Sequence, residues 1–193
     1  DSPRGRGRAA LCDVTDPESV AGLSGELVDE DVSILVNNAG VAGPVAPLVD
    51  VVPHEWDEVF AANVRGVYLM CRTFVPAMVD AGRGDVGNVA SVSGKRPRAG
   101  RTPYCASKMA VLGLSTTLAS EVGPSGVSVN TLSPGPVRGD RMRRNFQLEA
   151  ERTGGVHLAP KVGTNLALMN GLTRELFANG WVDEQWVAAH TLG

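Results

Sequence analysis

The sequence predicts an α/β fold built on a parallel β-sheet. Short apolar runs at 32–36 and 127–132 have the length and composition of buried strands. Between them, apolar residues recur every three or four positions from about 53 to 81 and again from 104 to 122, as on one face of a helix. Alternating strands and helices are typical of parallel sheets, because each crossover between parallel strands needs about a dozen residues or more.

Weaker patterns complete the predicted order of elements. Pro17 favours the first turn of a helix, and either Thr15 or Asp16 can cap it. The remaining predicted elements are a loop at 1–8, a strand at 9–12, the helix from Pro17 to about Glu30, a glycine-rich strand at 84–91 and a charged helical stretch at 136–155.

Composition and charge describe one soluble globular domain. The chain has 193 residues, of which 43% are hydrophobic and 20% charged. A net charge of −3 gives no reason to expect a nucleic-acid partner. No apolar run reaches the roughly 18 residues of a membrane span, and no signal-peptide pattern is present. We therefore expect a cytoplasmic protein without a membrane partner.

The three cysteines, Cys12, Cys71 and Cys105, occur singly along the chain. No Cys-x-x-Cys spacing and no pair of neighbouring histidines accompanies them. This pattern fits a reducing compartment and predicts no metal site.

Tyr104 and Lys108 form the pair that is best suited to catalysis. Residues four apart on a helix lie on one face, so the phenol and the ammonium converge on one point. A nearby cation favours the phenolate form of a tyrosine, which suits the pair to proton transfer. Ser91, at the end of a strand-like run, is placed to donate a hydrogen bond to the same substrate oxygen. A solvated helix surface produces the same spacing, so the meaning of the pair depends on neighbouring motifs.

Further motifs accompany that pair in a fixed order. A strand-like run leads into Asn37-Asn38-Ala39-Gly40, Asn63 lies within the next helix, Ser91 ends the next strand, and a later strand leads to Pro134-Gly135. With this order and spacing, the sequence resembles the short-chain dehydrogenase/reductase family over residues 9–155. The resemblance implies a Rossmann-like, doubly wound parallel sheet between two helical layers, a three-layer α/β/α arrangement.

The resemblance also implies an oxidoreductase that moves hydride between NAD or NADP and a small alcohol or ketone. Tyr104 would be the general acid and base, and Lys108 would favour its phenolate and hold the nicotinamide ribose. Ser91 would orient the substrate carbonyl, and Asn63 would position a water molecule in the proton relay.

For the cofactor, the resemblance implies an adenine-contacting pair, a turn beside the cofactor and a segment against the nicotinamide. These groups are, in order, Asp13 and Val14; Asn37, Ala39 and Gly40; and Pro134, Gly135 and Val137. Tyr104 and Lys108 would also contact the cofactor. Cys105 and Ser107 fall at variable or structural positions of the motif and receive no chemical role.

Self-association follows from the same resemblance. In this family the helices that correspond to 53–81 and to the segment from Tyr104 form a dimer face, so a homo-oligomer, a dimer or a tetramer, is expected. The alternative to an enzyme is a non-catalytic remnant that keeps this helical face and only self-associates.

The sequence departs from the family pattern before Ala9. The glycine-rich turn that binds the pyrophosphate has no counterpart there, nor do the first two strands of the family sheet. We then expect either an open edge on the Ile34 strand or direct pairing of the Leu11 strand with it. We also expect cofactor affinity of the 193-residue chain to be at least about a hundredfold below that of a complete relative.

Residues 156–193 depart from the pattern as well. Leucines four residues apart, a stop at Asn179-Gly180 and a second start near Asp183 predict a helical hairpin. This tail resembles a segment of molybdopterin-dependent oxidoreductases, although it contains none of that family's metal ligands. We predict a partial Rossmann domain at 1–155 and a tail of different origin at 156–193, as a gene fusion or a joining of two reading frames would produce.

Overall fold

The computed structural model describes residues 8–135 together with Arg144, Gln147 and Glu151. The chain divides into two compact units, Asp1–Met142 and Arg143–Gly193. The architecture below is that of the first unit. The predicted helical hairpin at 156–193 and the predicted cofactor residue Val137 lie outside the described residues.

A parallel sheet forms the centre of this unit, as predicted. Its three strands are β1 (Ile34–Asn37), β2 (Gly84–Val89) and β3 (Val127–Leu132), and they are adjacent in that order. Leu35 is paired with Val86, and Val86 with Val129. β2 ends two residues earlier than predicted, because Ser91 begins a 3₁₀ turn over Val92–Gly94.

The first helix, α1 (Pro17–Glu26), begins where the sequence predicts. The Asp16 carboxylate caps it by accepting a hydrogen bond of 3.0 Å from the Glu18 backbone N–H. It ends four residues before the predicted Glu30, where Leu27 N–H donates to Ser24 O and closes a tight turn. Val20 is its one buried residue.

The strand predicted at 9–12 does not form. Leu11 is fully exposed, and the segment lies along α1 instead of pairing with β1. Arg8 donates to the carbonyl oxygen of Glu26, and the Asp13 N–H donates to Ser19 Oγ, so both ends of the segment are fixed to α1. Of the two expected alternatives, direct pairing of this segment with the Ile34 strand is therefore wrong, and the outer edge of β1 has no strand partner among the described residues.

The long helix predicted over 53–81 consists of three parts. They are α2 (Pro53–Phe60), a π-helical turn (Ala61–Arg65) and α3 (Gly66–Asp80). In the π turn the Gly66 N–H reaches back to Ala61 O, which inserts one extra residue into the helix. The predicted apolar face of α3 is confirmed by the buried residues Val67, Cys71, Phe74, Val75 and Met78.

The fourth helix, α4 (Thr102–Val122), packs against the sheet beside α3. The face of the sheet that these helices cover carries Leu35, Val86 and Val127, which are all buried. A Cβ atom at Gly84 would lie 2.7 Å from Met78, so the glycine in β2 permits the close approach of α3.

The opposite face of the sheet carries Ile34, Val36 and Leu132, which are all more than half exposed. The described residues therefore form two of the three predicted layers, the sheet and one layer of helices.

Candidate active site

The carboxyl ends of the three strands meet at one edge of the sheet. Asn37 ends β1, Ser91 follows β2 and Pro134 follows β3. The last two segments are joined because the Val92 N–H donates to Pro134 O over 3.1 Å. In open parallel sheets this edge is where ligands bind.

Tyr104 and Lys108 lie in the first two turns of α4, facing this edge. Both are buried, and the Lys108 ammonium lies 5.9 Å from the centroid of the Tyr104 ring. Lys108 Nζ also donates a hydrogen bond of 2.8 Å to the carbonyl oxygen of Val89, the last residue of β2. The structure therefore brings the predicted pair together and attaches it to the end of the sheet.

A second cation, Arg101, lies beside the same ring. Its guanidinium carbon is 5.2 Å from the ring centroid of Tyr104, and its NH2 group donates to Ala42 O over 3.1 Å. Arg101 belongs to none of the motifs identified in the sequence. Its position three residues before Tyr104, one helical turn away, is the signal that identifies it.

Ser91 is buried next to α4. Its backbone is extended, and its Oγ accepts a hydrogen bond of 3.1 Å from the Ser93 N–H, which starts the 3₁₀ turn. The last residue of that turn, Gly94, packs directly against the backbone of Lys108. The turn therefore holds Ser91 at the end of β2, against the helix that carries Tyr104.

Asn63 is fully buried in the π turn. Its Oδ1 accepts from the Val41 N–H over 2.8 Å, and its Nδ2 donates to Val41 O over 3.0 Å and to Ser107 Oγ over 2.9 Å. The side-chain amide thus binds the loop after β1 on one side and α4 on the other. Its predicted role in positioning a water molecule stays a prediction.

Gly40 lies between Asn63 and Lys108. A Cβ atom at this position would be 2.7 Å from Asn63 Oδ1 and 3.6 Å from Lys108 Nζ. Any larger residue would therefore collide with the Asn63 amide. The absence of a side chain lets the backbone after β1 pass close to both predicted site residues.

Several predicted cofactor residues border one small cleft of about 70 Å³. Val14, Asn37 and Ala39 line it together with the first turn of α3. Asp13 is exposed beside Val14, and its carboxylate accepts hydrogen bonds from the Thr15 backbone and hydroxyl, which lower the pKa of Asp13. Pro134 and Gly135 are exposed after β3.

The Asn37 amide is part of a buried polar network. Its Nδ2 donates to Asn88 Oδ1 over 2.8 Å and to Cys71 Sγ over 3.4 Å, while Asn88 Nδ2 donates to Ser115 Oγ over 2.9 Å. Burial raises the pKa of the Cys71 thiol to about 11, against the opposing effect of the hydrogen bonds from Asn37 and Asn88. The sequence analysis missed Asn88 and Ser115, because neither belongs to a recognised motif.

Neither a metal site nor a membrane span occurs in the described part of the chain. No group of three or more His, Cys, Asp or Glu side chains is arranged there to hold a metal ion. None of its helices is long and apolar enough to cross a membrane.

The fold and the site define an α/β protein of Rossmann type whose candidate chemistry lies at the carboxyl edge of the sheet. The model of the short chain dehydrogenase family matches residues 4–150, and the chain therefore belongs to that family. The match ends before residue 156, so the resemblance of the tail to molybdopterin-dependent oxidoreductases stays a prediction.

Three curated relatives illustrate the match. D-threitol dehydrogenase of Mycolicibacterium smegmatis is 41% identical over 133 residues, covering 68% of this chain and 51% of that protein. Sorbitol dehydrogenase of Cereibacter sphaeroides is 37% identical, covering 68% and 52%. The 3-oxoacyl-[acyl-carrier-protein] reductase FabG of Haemophilus influenzae is 34% identical, covering 70% and 56%. The chain thus spans about half the length of the curated relatives it matches.

Solved structures show the same fold. An NAD⁺-bound xylitol dehydrogenase superposes with a TM-score of 0.72 at 31% identity, covering 75% of this chain and 56% of the other. A metagenomic short-chain oxidoreductase in complex with NADP superposes with a TM-score of 0.66 at 35% identity, covering 76% and 68%. These matches confirm the predicted Rossmann-like sheet with flanking helices.

Proposed function

We propose that this chain carries the catalytic region of an NAD(P)-dependent oxidoreductase that interconverts an alcohol and a ketone. The observation that carries the proposal is the buried pair of Tyr104 and Lys108, 5.9 Å from ring centroid to ammonium, at the edge of the sheet where Ser91 follows β2. A phenol beside a cation, with a serine hydroxyl at the same edge of the sheet, suits a proton transfer to or from a substrate oxygen.

The residues present fit part of a nicotinamide dinucleotide. Val14 and Ala39 line the cleft beside the exposed carboxylate of Asp13, a combination that suits an adenosine with its hydroxyl groups. Gly40 leaves the backbone open to close approach next to the Lys108 ammonium. We therefore assign Asp13, Val14, Ala39, Gly40 and Lys108 to cofactor binding.

In the oxidation direction, the phenolate of Tyr104 takes the proton of the substrate hydroxyl while Ser91 holds the same oxygen by a hydrogen bond. The Lys108 ammonium, 5.9 Å from the ring centroid of Tyr104, stabilises negative charge at this point of the site. A nicotinamide held by these residues would supply the redox chemistry as the hydride acceptor. In the reduction direction, Tyr104 returns the proton to the oxygen of the ketone.

We propose small polyols as the substrate class to test first. Among the relatives and structural neighbours at 31–41% identity, three are named D-threitol, sorbitol and xylitol dehydrogenases. Others in the same range of identity are named 3-oxoacyl-[acyl-carrier-protein] reductases, so a ketone of that kind is the second class to test.

We also propose a cytoplasmic homo-oligomer, a dimer or tetramer, that associates through α3 and α4. Tyr68 on α3 and Met109 on α4 support this, because each presents a large apolar side chain that is about half exposed.

Cofactor reduction by a panel of polyols tests the proposal. The 193-residue chain and its Tyr104→Phe variant are incubated with threitol, xylitol or sorbitol and either NAD⁺ or NADP⁺ at millimolar concentration. We expect the absorbance of the reduced nicotinamide to rise with the wild type only. If the wild type self-associates but neither binds cofactor nor turns over any polyol, the non-catalytic remnant is the correct interpretation.

A further inference from the structure

Two buried serines on α4 are held in the same way. Ser107 and Ser115 are both at most 1% exposed, and each hydroxyl donates to a backbone carbonyl one turn earlier in the helix. Each also accepts a hydrogen bond of 2.9 Å from the side-chain amide of a fully buried asparagine, Asn63 for Ser107 and Asn88 for Ser115. The helix therefore carries two equivalent asparagine–serine pairs.

The hydrogen-bond directions at Ser107 and at Val41 together fix the orientation of Asn63. A hydroxyl has one hydrogen, and Ser107 donates it to Tyr104 O over 2.8 Å. Ser107 Oγ can then only accept, so the donor end of the Asn63 amide must face it. The acceptor end, Oδ1, consequently faces the Val41 N–H, as the structure shows.

Ser107 and Asn63 connect to both residues of the predicted catalytic pair, Tyr104 and Lys108. Ser107 binds the carbonyl oxygen of Tyr104 itself. Asn63 holds Val41 through both its N–H and its C=O, and Gly40 next to it lies within close range of the Lys108 ammonium. One hydroxyl thus connects the Tyr104 turn of α4, the π turn and the loop after β1.

We propose that Ser107 is a positioning residue, which sets the Asn63 amide and thereby the loop at 40–41 relative to Tyr104 and Lys108. The proposal rests on the proposed function for its catalytic consequence. Without the hydroxyl, Asn63 Nδ2 keeps Val41 O as an acceptor but loses its acceptor on α4. One buried amide hydrogen is then unsatisfied, which favours a shift of the amide or the entry of a water molecule. A shift of the loop by a fraction of an ångström is enough to slow a reaction that depends on alignment.

Ser115 supplies the matched control. It is buried in the same helix, it makes the same two kinds of hydrogen bond, and its loss likewise removes an acceptor from a buried asparagine amide, that of Asn88. Ser107→Ala and Ser115→Ala should therefore destabilise the fold to a similar degree. Only Ser107 connects to the loop beside Lys108, so only its removal should alter that loop.

The test compares wild type, Ser107→Ala, Ser107→Thr and Ser115→Ala in the 193-residue chain. Hydrogen exchange of the Val41 amide, followed by NMR, reports the Asn63 bond directly. We expect exchange to accelerate at least about tenfold in Ser107→Ala, to recover in Ser107→Thr and to stay near wild type in Ser115→Ala. With a polyol substrate, we expect kcat to fall about tenfold or more in Ser107→Ala alone, with little change in the substrate KM.

Equal Val41 exchange in the two alanine variants would overturn the proposal, as would equal kcat values for them at matched folded fractions. Thermal unfolding of each variant establishes those fractions. If the wild type has no turnover, the proposed function fails, whereas the Val41 exchange still decides whether Ser107 positions the loop. If Val41 exchange responds but kcat does not, Ser107 positions the loop, and its influence on the reaction is rejected.

Discussion

In α4, a first half (102–108) and a second half (109–122) both contain buried residues but have different surroundings. Tyr104 and Lys108 in the first half are 9% and 5% exposed, and Val111 and Ser115 in the second half are 0% and 1% exposed. The first half lies at the carboxyl ends of the strands, where Lys108 meets the end of β2, a loop and a turn. The second half packs on the sheet, where its neighbours are core residues. Under the proposed function, position along the strands, and not burial, distinguishes the catalytic part of this helix from the structural part.

This comparison predicts that substitutions in the two halves affect different properties of the protein. Substitutions of the proposed catalytic side chains in the first half, Tyr104 and Lys108, should reduce turnover with little effect on the free energy of unfolding. Substitutions in the second half should reduce the free energy of unfolding and leave the turnover of the folded fraction unchanged.

The largest effect is expected for Tyr104→Phe. This change removes the hydroxyl that moves the proton and keeps the aromatic ring, so turnover should fall about a thousandfold or more. The free energy of unfolding should stay within about 1 kcal/mol of wild type. Steady-state kinetics and denaturant unfolding measure the two quantities. Activity close to wild type would remove Tyr104 from the role of acid and base.

Lys108→Met should have the next largest effect. The substitution removes the cation beside the Tyr104 ring and keeps a side chain of similar length. Turnover should fall about a hundredfold, because the cation that stabilises negative charge developing near the Tyr104 hydroxyl is lost. Steady-state kinetics with saturating cofactor and substrate measures kcat. A raised KM for the cofactor with an unchanged kcat would mean that Lys108 acts only on binding.

Val111→Ala tests the second half of the helix. Val111 is completely buried in the core with Val86 and Val127, and truncation leaves a cavity at the interface between helix and sheet. We expect the free energy of unfolding to fall by about 2 kcal/mol, with unchanged kcat for the protein that remains folded. Urea unfolding followed by circular dichroism gives the first value. A parallel loss of kcat would show that the two halves of α4 are coupled.

The features that were predicted well from the sequence depend on local patterns that continue over several turns or residues. The apolar spacing of α3 and the four-residue spacing of Tyr104 and Lys108 depend only on helical geometry, which holds over many turns. The strands before Asn37 and before Ser91 were found because each is a compact run that ends in a recognisable motif. These elements also carry most of the candidate site.

The missed features depend on contacts between distant segments. The run at 9–12 has one large apolar side chain, Leu11, and its sequence is compatible with a strand or with an extended loop. Hydrogen bonds to α1 at both ends of the run favour the loop. The π turn around Asn63 adds a single residue, which hardly disturbs the apolar periodicity on either side. Asn88 and Ser115 are separated by 27 residues along the chain. Their side chains form a hydrogen bond because α4 packs against β2.

The smallest effect concerns Cys71, which the network through Asn37 and Asn88 connects to the second half of α4. Burial raises its pKa from 9.0 to about 11, so the unfolded chain loses this proton at lower pH than the folded chain. The thiol therefore stabilises the fold fully below about pH 9, and the contribution is lost as the pH rises through 11.

At pH 10 this loss should amount to about 1 kcal/mol of the free energy of unfolding. Other groups titrate in the same range, so the measurement is the difference between wild type and Cys71→Ala across pH 8 to 11. We expect the stability advantage of the wild type to shrink as the pH rises above 9, because only the wild type carries the thiol. A constant difference would mean that the thiolate forms as easily in the folded core as in the unfolded chain. The network around Asn88 would then be open to water, and the second half of α4 would not be the closed structural region that the comparison with the first half requires.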